Sequence, residues 1–133
     1  MKTILAGVLV AAGLLLVVRP AIAHHAFSAE FDANKPVTLT GTVTKVEWTN
    51  PHAWFYIDVA DAAGKVTNWA FELGGPNTLI REGWTRNSMK VGETVTVEGS
   101  RAKDGSPIAN AQVVTLKSTG QRLFAASSRG EQK

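Results

Sequence analysis

Apolar and polar positions alternate through most of the chain beyond residue 36, and each alternating stretch predicts a strand. Val37, Leu39 and Val43 occupy odd positions, whereas Val46 and Trp48 occupy even ones. A change of phase moves every later side chain to the other face. The stretch Val37 to Trp48 therefore predicts a long strand bent by a bulge near Thr44. Ala53 to Ala60 keeps a clean period of two, with Phe55, Ile57 and Val59 on one face and His52, Trp54, Tyr56 and Asp58 on the other. Val66 to Leu73 repeats the pattern, with Trp69, Phe71 and Leu73 opposed to Asn68, Ala70 and Glu72. Asp61 to Lys65 reads as the turn between them. Pairing about Ala63 sets Phe55 against Phe71 and Ile57 against Trp69, so the apolar faces agree in register.

Gly74-Gly75-Pro76 opens a short helix that Gly83 suits as its end, with Leu79, Ile80 and Trp84 expected to cap the core. Val91 to Gly99 and Ala109 to Lys117 read as further strands, separated by a turn at Asp104-Gly105. The order is three strands, one short helix, then two strands. The predicted class is mainly β, a small five-stranded OB-like Greek-key barrel with the helix between strands 3 and 4. A small sandwich is the rival, and the helix favours the barrel. The barrel is expected over 37–117, behind a polar lead-in at 24–36 and ahead of a flexible tail at 118–133.

The first 23 residues have a different pattern. Lys2 precedes an unbroken run of apolar residues and glycine from Ile4 to Val18, and Ala21-Ile22-Ala23 has the small-x-small form of a cleavage site. As a helix the run spans only about 22 Å, short of a hydrocarbon core of about 30 Å. The expectation is a cleaved signal peptide, a periplasmic product and no stable membrane anchor after cleavage.

Cleavage removes two of the 14 basic residues and none of the 11 acidic ones, leaving a net charge of +1 with neutral histidines. No basic stripe remains to neutralise a row of phosphates, so no nucleic-acid partner is expected. The chain has no cysteine, which excludes disulfides and thiolate metal sites.

Cleavage after Ala23 places His24 and His25 at the mature terminus. A free α-amine and an adjacent imidazole both lose protons near neutral pH and form a chelate ring. With His52 they supply a nitrogen-rich set suited to Cu(II), and to Zn(II) if drawn toward a tetrahedron. His24, His25 and His52 are the candidate metal ligands. Glu72, on the same face as His52, is the candidate acceptor that orients an imidazole from behind. The competing reading leaves the tandem histidines as a solvated tail and bonds His52 to a loop carbonyl. Trp54, Tyr56 and Asn68 form a candidate ligand-binding face for a small ligand, unless Phe27 and Phe31 fold the lead-in over it. That folding would also carry His24 and His25 toward His52. No hydrolase, zinc-protease or dinucleotide motif occurs, so a binding protein without catalytic residues is expected, its protein partner unspecified.

His24-His25-Ala26-Phe27, followed by Glu30-Phe31-Asp32, Trp48-Thr49-Asn50-Pro51-His52 and Trp69-Ala70-Phe71-Glu72, resembles the exported bacterial domain-of-unknown-function family 6152. The His-His-x-Phe opening and the Asn-Pro-His turn are its most specific parts. The resemblance implies export and one small β-domain, and it implies no activity.

Overall fold

The computed structural model describes residues 27–126, which form one continuous sheet around one core. Six strands follow one another as β1 (Phe31–Glu47), β2 (Trp54–Ala60), β3 (Val66–Glu72), β4 (Thr94–Ala102), β5 (Ile108–Leu116) and β6 (Arg122–Phe124). One helix, α1 (Pro76–Arg81), lies between β3 and β4. The sheet runs β3-β2-β1-β4-β5-β6, and a parallel pairing of β3 with β5 closes five of its strands into a ring.

Closure depends on β1, which is long enough to pair with β4 through Phe31–Thr42 and with β2 through Thr42–Glu47. The change of phase in its sequence appears as a register shift between Val43 and Lys45. A bulge there bends the strand, so its two halves serve different neighbours. The β2–β3 hairpin pairs Phe55 with Phe71 and Ile57 with Trp69, and the Phe55 and Phe71 rings stack 5.2 Å apart. Its turn is held by Asp61 Oδ1, which accepts the amides of Ala63 and Lys65 at 2.9 Å each.

The core inside the ring contains Phe55, Ile57, Phe71, Leu73, Leu79, Val95, Val97 and Val114, all essentially inaccessible. Trp84 is buried, whereas Trp48 and Trp69 pack against this core only in part. A separate small cluster of Phe27, Phe31 and Ala102, with Ile108 against it, sits outside the ring. Residues 27–30 are helical and are tied to the turn after β4 by the Lys103 amide, which donates to Glu30 O at 2.9 Å.

Four expectations need correction. The sheet has six strands rather than five, because Arg122–Phe124 pairs with β5 inside the segment expected as tail. Three residues are too few to show a period. β1 begins at Phe31, inside the expected lead-in, because Phe31 pairs with Ala102 across a stretch that does not alternate. β4 begins at Thr94, since Lys90–Glu93 form the preceding turn, with Gly92 at φ 93°. Ile80 is 56% exposed, while Leu79 alone of that pair enters the core.

Candidate functional site

The site is built where β2 begins and β3 ends. The Asn50–Pro51 peptide is cis, and it leads directly into His52. Ala53 exchanges backbone hydrogen bonds with the far end of β3, donating to Gly74 O and accepting from the Leu73 amide. These bonds hold the 50–52 turn beside β3. Gly75 is required there, since a Cβ would come within 2.8 Å of the Pro51 carbonyl oxygen. Gly74 is equally constrained by the Ala126 carbonyl. The Gly-Gly pair is thus explained by close backbone approach.

Glu72 faces Trp54 across the hairpin and Asn110 across the parallel β3–β5 junction. Its carboxylate lies 3.0 Å from His52 Nδ1 and accepts a weaker bond, at 3.4 Å, from Asn110 Nδ2. Glu72 is buried although its position in the alternation puts it outside the core, because other residues cover the outer face here. Burial pushes its carboxyl above the usual 4.5, and the nearby charge of Glu30 adds to that. His52 and the Asn110 amide act in the opposite direction. The His52 side chain remains 37% exposed, so the ring has one nitrogen anchored inward and an edge toward solvent.

Beneath this pair runs a buried polar row that alternation alone did not identify. Asn110 and Ser100 are adjacent across β5 and β4, and both are fully buried. Asn110 Oδ1 has no hydrogen-bond partner among the described residues. In the sequence these are ordinary polar strand positions. Ala109 and Ala111 on either side of Asn110 belong to the main core, so nothing in the alternation marks the opposite face as covered.

A cleft of about 420 Å³ opens next to Trp54, between the lead-in and the turn after β4. Phe31, Trp54 and Ile108 give it apolar walls, and Glu30, Lys103 and Asp104 stand among its polar lining. Lys103 Nζ also donates to the Ser28 carbonyl. The lead-in therefore approaches Trp54 as the folding-over expectation requires, while leaving that indole partly exposed.

Tyr56 and Asn68 lie on the same face as Trp54 but are engaged within the sheet. The Tyr56 hydroxyl donates to Glu47 Oε2 at 3.1 Å, with Lys45 Nζ 5.4 Å from the ring centroid. Asn68 Nδ2 reaches Asp58 Oδ1 at 2.9 Å and Thr44 Oγ1 at 3.1 Å. The candidate face thus divides into a cleft at Trp54 and a self-bonded polar surface beyond it.

His24 and His25, with the expected leader, lie outside the described residues. Among the described residues no group of three or more His, Asp or Glu is placed to hold a metal ion, and no helix is long and apolar enough to cross a membrane.

Among solved structures, a mitochondrial single-stranded DNA binding protein from S. cerevisiae is similar at 10% identity and a TM-score of 0.49, over 62% of this chain and 93% of that one. The exclusion of a nucleic-acid partner, expected from charge, is withdrawn, since the similar structure is that of a single-stranded DNA binding protein. A likeness at this level assigns no binding activity to this chain. No curated protein matches it. A model described as a family of unknown function, DUF6152, matches residues 11–111, and the chain belongs to that family.

Proposed function

We propose that this is an exported metal-binding domain in which His52, together with His24 and the mature α-amine or His25, holds one Cu(II). The observation that carries this reading is the His52–Glu72 contact of 3.0 Å. A metal-ligating imidazole commonly donates its second N–H to a carboxylate, which fixes the tautomer and raises the basicity of the nitrogen left free. With Nδ1–H given to Glu72, Nε2 carries the lone pair. Burial of Glu72 and its bond from Asn110 hold that carboxylate in place. The nitrogen donors favour copper over the harder cations, and copper stands highest in the divalent affinity series. The ring order β1-β2-β3-β5-β4, with α1 between β3 and β4, supports an OB-like Greek-key barrel to which β6 is added.

The test is Cu(II) titration of protein beginning at His24 and stripped with a chelator. One equivalent is expected to bind. His52→Ala, or one residue added ahead of His24, should each weaken binding at least about tenfold, and Glu72→Ala about 10- to 100-fold. Unchanged affinity in both the His52 variant and the extended protein rules the site out.

A further inference from the structure

We propose that the cleft beside Trp54 is the docking groove for this chain's own residues 24–26, whose histidines enter it and stand against the indole. The inference rests on the mature terminus used in the metal-binding reading, though it requires no metal. Three observations converge on this occupant. Phe27 is buried with Phe31 and Ala102, so the described chain is already anchored at the edge of the cleft where residues 24–26 must leave it. Three Cα steps of about 3.8 Å let His24 reach up to about 11 Å from Phe27.

Charge is the second argument. Glu30 and Asp104 line the cleft. The cationic residue in the lining, Lys103, donates to the Ser28 carbonyl. Carboxylates thus outnumber the ammonium, and residues 24–26 bring an amine and two imidazoles of the complementary sign. The third argument is shape. Walls from Phe31, Trp54 and Ile108 suit a flat ring with one polar edge, which is the form of an imidazole. Trp54 opposes Glu72 across the hairpin, so a ring held there is directed toward the carboxylate that anchors His52. Trp54 would then be a positioning residue for the amino terminus.

The experiment uses the mature chain labelled with 5-fluorotryptophan, kept metal-free in chelator, with the Trp54 resonance assigned from Trp54→Phe. Removing residues 24–26, or combining His24→Ser with His25→Ser, should shift the Trp54 fluorine resonance and leave those of Trp48, Trp69 and Trp84 in place. A Trp54 resonance that does not move overturns the proposal and leaves the cleft to a ligand from outside the chain. Equal movement of all four also overturns it, because residues 24–26 then act on the whole domain. Copper uptake is scored separately. Uptake with an unmoved Trp54 refutes docking alone, and a moved Trp54 without uptake refutes the metal reading alone.

Discussion

Replacing Phe27 with alanine should release the lead-in while leaving the barrel folded. Phe27 is 4% exposed, and its ring packs 5.8 Å from that of Phe31 in a cluster separate from the main core. Burying such a side chain contributes about 2–3 kcal/mol. The other described ties of residues 27–30 include the Lys103 amide bond to Glu30 O and the Lys103 ammonium bond to Ser28 O. The amide bond is worth about 1 kcal/mol and the ammonium bond about 1.5–3 kcal/mol, so the ring supplies a share of the anchoring comparable with both together. Local opening should therefore become about 30- to 150-fold more frequent, at about 1.4 kcal/mol per tenfold. Amide hydrogen exchange measures this directly. The Lys103 amide should lose that much protection, whereas Val97, fully buried in the main core, should lose far less. Unchanged exchange at Lys103 would refute the anchoring role. Equal losses at Lys103 and Val97 would show instead that lead-in and barrel open as one unit.

Glu72→Gln should remove a pH dependence. Burial raises the Glu72 pKa above 4.5, so its stabilising contribution is complete below about 4.5 and is lost as pH rises through the folded value. The stability of Glu72→Gln relative to wild type should therefore rise over that window in urea titrations, and parallel profiles would contradict it. The lowered pKa values of Glu47 and Asp104 are common to both proteins and cancel. Gly74→Ala drives a Cβ into the Ala126 backbone, which should cost about 1–3 kcal/mol and lower Tm, and an unchanged Tm would deny the close approach. Trp84→Phe removes the 2.8 Å bond from the indole N–H to Phe124 O, at a cost of about 1 kcal/mol, visible as faster exchange in β6.

The main core was legible because alternation reports directly on a strand with one buried face. Phe55, Ile57, Phe71 and Leu73 followed from period two, and the slip between Val43 and Val46 gave the bend in β1. Alternation says nothing about what covers the second face. Glu72 and Asn110 look solvated in the sequence and are buried because the outer face at the β3–β5 junction is covered, near the Phe27–Phe31 cluster. The His52–Glu72 proximity was readable from strand parity, whereas the cleft was not, because it forms between segments far apart in sequence. A six-residue helix is too short for its pattern to choose between Leu79 and Ile80, so the sequence does not show which of the two enters the core.

Pulsed EPR of the Cu(II) complex tests the central claim most directly, because the remote nitrogen of each coordinated imidazole gives its own modulation. The mature protein should show remote imidazole coupling from His52 together with an amine nitrogen, and His52→Ala should lose one imidazole signal while keeping the rest. A spectrum identical in wild type and His52→Ala would contradict the account, since copper would then be held without the residue that Glu72 positions.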